Sequence, residues 1–338
     1  MDYNMHSTRS WKRWKRVDEV LVIENLTVVY TKNGKRIKAV DRVDLKVNQG
    51  DMIGIVGESG SGKSTLAHAV MGLLPSNGFI AEGKIRLLGY EITRLNDDEM
   101  RKIRWKEFSM VFQKSMNALS PVHKIGEQMK EAVIVHEPEI GETEVESRMK
   151  KVLDMVNLPH RVLKSYPHEL SGGMMQRVMI ALALINNPKF VIFDEATTAL
   201  DVVTQGQILD EIKNLVERLS LTGMVITHDI GVVAEICNKI AVMYAGRIVE
   251  EGPKEKILYD PLHPYTKALI SSHPELAEGG GRMRGIPGNL PDLSKEIKGC
   301  VFAERCPHAE KICFDDRPGF VKISGRKVAC FKIKEVEE

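Results

Sequence analysis

Residues 57–65 read GESGSGKST, and this stretch decides the class of fold. It fits the pattern G-x-x-x-x-G-K-[ST], with Gly57, Gly62, Lys63 and Ser64 at the fixed positions; Glu58, Ser59, Gly60 and Ser61 lie between them and Thr65 follows. Glycines at this spacing let successive backbone N–H groups turn inward around phosphate oxygens, and a helix starting behind them adds its positive end. Lys63 is placed to reach β- and γ-phosphates, and the Ser64 hydroxyl to ligate Mg²⁺. The flanks agree. MIGIVG (52–57) reads as a short buried strand, and STLAHAVMGLL (64–74) has helical apolar spacing that stops at Pro75. A nucleotide-binding α/β fold follows.

On the N-terminal side, VLVIENLTVVY (20–30) and RIKAVDRVDLKV (36–47) predict a hairpin closed by the Asn-Gly of KNGK (32–35). Residues 83–113 offer two further strands around a charged helix, and residues 121–185 are mostly helical. FVIFDE (190–195) and MVITHD (224–229) are apolar runs of the buried parallel type, separated by the helix VTQGQILDEIKNLVERL (203–219). KIAVMYAGRIVEEG (239–252) reads as a closing hairpin. After about residue 258 Pro, Gly and His rise and apolar periodicity fades. These shifts divide the chain into a basic leader (1–19), a nucleotide-binding domain (20–258) and a C-terminal region (259–338).

FVIFDE sets two carboxylates at the C-terminal end of an apolar strand, the edge where parallel sheets bind ligands. Asp194 is expected to hold Mg²⁺ through water as the acidic partner of Ser64. Glu195 is expected to act as general base on a water attacking the γ-phosphate.

The chain has 338 residues, 43 % apolar and 28 % charged, ordinary for a globular protein. Lys plus Arg (48) against Asp plus Glu (46) leave +2, so no global field points to nucleic acid. The apolar run VMIALALI (178–185) falls far short of the ~18 residues that a membrane span needs. MDYNMHSTRSWKRWKRVDEV (1–20) has no apolar core of the secretory type, so the cytosol is the expected compartment. There, clustered cysteines read first as metal ligands.

LSGGMMQR (170–177) lies just ahead of the strand that ends in Asp194. With this motif the chain resembles the ATP-binding-cassette (ABC) ATPases over roughly residues 20–258. The resemblance implies a RecA-like core with an N-terminal antiparallel β-subdomain and a helical subdomain. It also implies that Ser171, Gly172 and Gly173 face ATP held by a second subunit, so that two subunits sandwich two ATP molecules head to tail. On the same resemblance, Tyr30 stacks on adenine and Gln113 in MVFQ contacts Mg²⁺ and the attacking water. Asp201 in TALD belongs to the loop that crosses the dimer interface, and His228 in VITHD contacts the γ-phosphate. The chain departs from the usual pattern at Met174, where many members have glutamine, and at Ala196, where proline is usual. Neither change removes a ligand group, so hydrolysis is expected.

KSMNALSPVHKIGEQM (114–129) and PLHPYTKALISSHP (261–274) are similar to the ATPases of oligopeptide and dipeptide importers. That implies two transmembrane permease subunits as partners, docking near the first segment at the cytoplasmic face of the membrane. An extracytoplasmic solute-binding protein would be engaged indirectly. The signature form is similar to one of two paralogous ATPases, implying a heterodimer, with a homodimer as second choice and no nucleic acid. Oligosaccharides or nickel are alternative cargoes, and a soluble ABC ATPase uncoupled from transport is the rival class.

Four of the five cysteines fall in the tail: Cys300, Cys306, Cys313 and Cys330, separated by five, six and sixteen residues. Structural zinc usually has one tight C-x₂₋₄-C pair, which is missing here, so wide spacing of four thiolates favours an iron–sulfur cubane. The importer resemblance carries a [4Fe–4S] cluster with it; zinc is the runner-up, and free or disulfide-bonded cysteines remain open. A small cysteine-rich appendage stapled by this site is therefore expected, with Cys237 a core thiol. WKRWKR (11–16) reads as a solvated leader, with contact to anionic lipid as the alternative.

Overall fold

The computed structural model describes residues 18–112, 118–197, 200–273 and 286–334. Strands β1 (Glu19–Lys32) and β2 (Lys35–Asn48) form the hairpin that Asn33-Gly34 predicts. Both turn residues have positive φ, 51° and 74°, which matches a two-residue turn to the right-handed twist of the strands. β3 (Met52–Val56) is buried along its whole length and feeds the phosphate loop and helix α1 (Lys63–Met71). α1 ends at Gly72, not at Pro75: Gly72 takes φ 63° and its N–H donates to the Ala69 carbonyl at 3.1 Å.

β4 (Gly78–Leu87) and β5 (Tyr90–Glu91) complete a four-stranded antiparallel sheet in the order β2-β1-β4-β5. α2 (Asp97–Ile103), opened by an Asn96/Glu99 capping box, leads to β6 (Phe108–Val111). A helical layer follows: α3 (Ile125–Ile134), α4 (Glu142–Met155) and α5 (Gly172–Leu184). Then come β7 (Phe190–Asp194), α6 (Val202–Leu219), β8 (Gly223–Thr227), α7 (Ile230–Ile236), β9 (Lys239–Tyr244) and β10 (Arg247–Pro253). The C-terminal region adds α8 (Lys254–Tyr259), α9 (Pro264–Ser271), α10 (Lys311–Asp315), β11 (Val321–Ile323) and β12 (Arg326–Val328).

The main sheet runs β11-β12-β10-β9-β3-β8-β7-β6, with β9, β3, β8, β7 and β6 parallel. Its central strands read as continuous apolar runs because both faces are covered. Period-two alternation divides them. Ile53, Ile55, Ile192 and Ile226 face a core shared with α1 and the four-stranded sheet. Met52, Val56, Val191, Phe193 and Val225 face a core shared with the helical layer.

One expectation is corrected here. The C-terminal region is no separate cysteine-rich appendage. β12 pairs with β10 (Glu250↔Val328) and extends the main sheet, and Val301 and Phe302 belong to the helical-side core. The Phe302 ring lies 5.3 Å from both Tyr244 and Tyr265. The Lys38 N–H donates to the Leu293 carbonyl across the expected boundary. A few large side chains at irregular spacing anchor this segment, so periodicity could not reveal how it packs.

Candidate nucleotide-binding site

The phosphate loop joins β3 to α1 at the C-terminal edge of the parallel strands. Backbone proximity explains its glycines. A Cβ on Gly57 would sit 2.0 Å from the Met243 carbonyl oxygen. Gly62 takes φ 102°, and a Cβ there would lie 2.1 Å from the Ala39 carbonyl oxygen. Ser61 is fully buried, while Ser59 and Gly60 are exposed at the tip. Lys63 turns its ammonium back into the loop, donating to the carbonyls of Gly57 (2.7 Å) and Glu58 (2.9 Å) and to Ser61 Oγ (3.4 Å). Burial pulls its pKa down, against the opposing charges of Glu195, Asp194 and Glu58. An ammonium hydrogen-bonded to carbonyl and hydroxyl oxygens is ready to exchange them for phosphate oxygens. Tyr30 sits within β1, not at its end, and its hydroxyl donates to Thr65 Oγ1 at 3.4 Å.

The sheet edge brings the acids to the loop. Ser64 Oγ donates to Asp194 Oδ1 at 3.1 Å. Asp194 is 2 % exposed. Burial pushes its carboxyl up to about 6, helped by Glu195 and opposed by the Ser64 hydrogen bond and Lys63. A hydroxyl and a buried carboxylate facing each other are hard oxygen donors suited to Mg²⁺. Glu195 follows in the left-handed region, φ 46°, a costly conformation outside glycine that recurs at functional sites. Its N–H donates to the Ile226 carbonyl (2.8 Å), and its Oε1 lies 3.2 Å from His228 Nδ1. Lys63, Ser64, Asp194, Glu195 and His228 thus share one edge. Gln113 lies outside the described residues, as does the WKRWKR stretch.

Ser171 caps α5, its hydroxyl accepting the Met174 N–H at 3.3 Å. Asp201 caps α6, accepting both the N–H (3.0 Å) and the hydroxyl (2.7 Å) of Thr204. Those hydrogen bonds hold its carboxyl below the usual range. The two helix starts touch: a Cβ on Gly173 would fall 2.6 Å from Thr204 Cγ2, and one on Gly172 3.3 Å from Leu200 Cδ2. The signature and the Asp201 turn therefore present one surface. Beside it, Val202 and Val203 are 84 % and 71 % exposed. In the segment expected to meet a permease, Gln128 ties residues 120–123 into a compact loop by accepting the Ser120 N–H and donating to the Ser120 and His123 carbonyls.

The sequence reading missed the partners of Glu58. Its N–H donates to the Tyr265 hydroxyl (2.9 Å), and its carboxylate receives a two-point grip from Arg305. The available signal was a lone carboxylate inside a loop built for an anion, which calls for a cation elsewhere in the chain.

Cys300, Cys306, Cys313 and Cys330 are unpaired thiols, and all four line one small cavity with His263, Phe302 and His308. Burial raises the pKa of Cys300, Cys306 and Cys330, reinforced by the neighbouring thiols. The donor chemistry suits a thiolate-ligated group. Among the described residues no set of three or more His, Cys, Asp or Glu is placed to hold a metal ion, so the expected iron–sulfur cluster and its zinc alternative are both left unsupported by this arrangement. Cys237 is a core thiol, its pKa driven up by burial. Among the described residues no helix is long and apolar enough to cross a membrane.

Comparisons with known proteins agree with this geometry. Residues 40–198 match the family described as ABC transporter, and residues 249–313 match the oligopeptide/dipeptide transporter C-terminal region. The oligopeptide transport ATP-binding protein OppD of Escherichia coli (strain K12) is 42 % identical over 320 residues, covering 94 % of both chains. The dipeptide transport ATP-binding protein DppD of Bacillus subtilis (strain 168) is 42 % identical over 322 residues, covering 93 % of this chain and 95 % of that one. Among solved structures, a dimeric ATP-binding cassette in a post-hydrolysis state bound to ADP and Pi superposes with a TM-score of 0.63 at 32 % identity, covering 70 % of this chain and 99 % of that one. The chain therefore belongs to the oligopeptide/dipeptide family of ABC transporter ATP-binding subunits.

Proposed function

We propose that this chain binds and hydrolyses ATP to drive the import of oligopeptides or dipeptides through permease subunits. One observation carries the reading: a phosphate loop with its lysine turned inward, a facing Ser64–Asp194 pair and a Glu195–His228 pair share a single sheet edge. Lys63 and the loop N–H groups grip the β- and γ-phosphates. Ser64 and Asp194 would hold Mg²⁺, which neutralises charge developing on the phosphates when bound. Glu195 accepts the proton of the attacking water, and His228 holds that carboxylate and faces the γ-phosphate.

The catalytic unit is a dimer in which Ser171, Gly172 and Gly173 of one subunit close on ATP held by the other. The contiguous signature–Asp201 surface and the exposed valines beside it support this. A paralogous ATPase is the preferred mate, with a second copy of this chain next. Two permeases at the cytoplasmic face of the membrane complete the complex, with a solute-binding protein on the far side. Peptide is the cargo that the similarity of the chain favours.

The four tail thiols are proposed to ligate an iron–sulfur cluster, which would cross-link the segment structurally. Their convergence on one cavity supports the reading. Purification without oxygen, followed by counting iron, sulfide and zinc, tests it: about four irons per chain are expected, and an iron-free chain refutes it.

The transport reading is tested in vesicles carrying the permeases and both ATPases. Peptide uptake should require ATP and stop with Glu195→Gln, while that variant still binds ATP. Uptake that persists at the wild-type rate with Glu195→Gln overturns the assignment.

A further inference from the structure

Glu58 is the second residue of the phosphate loop, and residues far along the chain occupy both of its polar groups. Arg305 Nη1 lies 2.7 Å from Glu58 Oε2 and Nη2 lies 2.9 Å from Oε1, a bidentate fork across 247 residues of sequence. The guanidinium is itself fixed. It donates to the Tyr244 hydroxyl (3.1 Å) and to the carbonyls of Pro287 (2.7 Å) and Ile286 (3.0 Å), and it lies over the Tyr244 ring at 5.6 Å. Its side chain is only 6 % exposed. The Tyr265 hydroxyl meanwhile accepts the Glu58 N–H.

Two physical consequences follow. A carboxylate in a loop that receives a polyphosphate repels the ligand unless a cation neutralises it and holds it aside. In addition, the Glu58 carbonyl, with that of Gly57, holds the Lys63 ammonium, so fixing the Glu58 peptide fixes the lysine. An exposed ion pair would contribute little, but this one is bidentate, with its arginine buried and locked by three further acceptors.

We propose that Arg305 is a positioning residue for the phosphate loop: it neutralises Glu58 and braces the first turn of the loop, so that Lys63 and the loop N–H groups meet the triphosphate in register. The proposal rests on the ATP-site reading above. It adds that the site is incomplete without the C-terminal segment.

Equilibrium binding of fluorescent MgATP and MgADP analogues, read beside thermal melting, tests it. Arg305→Ala should weaken MgATP binding about tenfold, the scale of one unneutralised charge several ångströms from the phosphates, and weaken MgADP less. Adding Glu58→Gln to Arg305→Ala should restore MgATP affinity to within about twofold of wild type, which a purely structural role for Arg305 would not do. Unchanged MgATP affinity in Arg305→Ala overturns the proposal, as does a double variant as weak as the single one. If Arg305→Ala fails to melt cooperatively, Arg305→Met, which keeps the apolar packing but removes the charge and the two-point grip, decides in the same way: weakened MgATP affinity supports the proposal and unchanged affinity overturns it. Lys63→Ala distinguishes failure of the brace from failure of the ATP site. Retained MgATP affinity in that variant removes the site itself, whereas lost affinity upholds the site and leaves the Arg305 variants to test the brace alone.

Discussion

The hydroxyl of Ser64 and the carboxylate of Asp194 meet at 3.1 Å, closing a link between the first turn of α1 and the end of β7 across 130 residues. Neither residue alone offers the pair of oxygen donors proposed for Mg²⁺; the sheet order β3-β8-β7 brings them together. Asp194→Asn should cost at least about a hundredfold in turnover and shift the Mg²⁺ dependence to higher concentration, because a neutral amide cannot neutralise the metal charge. Mg²⁺ titration of phosphate release checks this. An unchanged Mg²⁺ midpoint would show that the pair does not hold the metal.

Glu195 is held by its N–H bond to the Ile226 carbonyl and by His228. Glu195→Gln should therefore leave MgATP affinity within about threefold of wild type while lowering turnover about a hundredfold or more. His228→Ala should lower turnover by about ten- to a hundredfold, with binding again preserved. Nucleotide binding and phosphate release measured on the same preparations separate the two effects. A large loss of affinity in Glu195→Gln would reassign it to binding.

Gly173 leaves no room for a side chain against Thr204, whose helix is capped by Asp201. Gly173→Ala should displace the Asp201 turn and reduce turnover by about tenfold or more without altering ATP binding by the isolated subunit. Thr204→Ser removes the clashing methyl and keeps the hydroxyl that bonds Asp201, so it should recover much of the loss. No recovery in the double variant would place the defect elsewhere.

His263 caps α9 as a neutral imidazole, its Nδ1 accepting the Tyr265 N–H at 3.0 Å. Burial pushes its pKa down to about 4 from 6.5. The folded state therefore disfavours the proton more than the unfolded chain does. The resulting stability is fully present above about pH 6.5 and is lost as the pH falls toward 4, by about 3 kcal/mol if the full shift is expressed. His263→Asn retains a capping acceptor but does not titrate there. Its denaturation midpoint should fall less than that of wild type between about pH 7 and pH 4.5. Parallel pH profiles for the two proteins would remove His263 as the cause.

The parts of the site legible in the sequence are those fixed by short-range backbone geometry. GESGSGKST carries its own glycines and helix start, FVIFDE its own strand and acids, and LSGGMMQR its own cap, so local spacing identified them. Asn33-Gly34 revealed the hairpin for the same reason. The end of α1 was misplaced because the positive φ of Gly72 stops the helix before Pro75 is reached. The packing of the tail was not legible. Its anchors, Phe302, Arg305, Arg326 and β12, sit at no regular period and take their partners from residues that lie up to 247 positions away. The cysteine spacing suggested a common ligand for the thiols, but not that their cavity would be walled by Phe302 from the core that reaches Tyr244.

The separation of Glu58 from Arg305 also sets an order of events during synthesis. At ~5–20 residues per second, a ribosome that has made the phosphate loop needs on the order of ten to fifty seconds more before it adds the arginine that grips it. β12, which completes the edge of the main sheet beyond β10, is translated later still. The nascent cassette thus carries its most recognisable motif early, and the brace proposed for tight ATP capture becomes available only after 247 further residues.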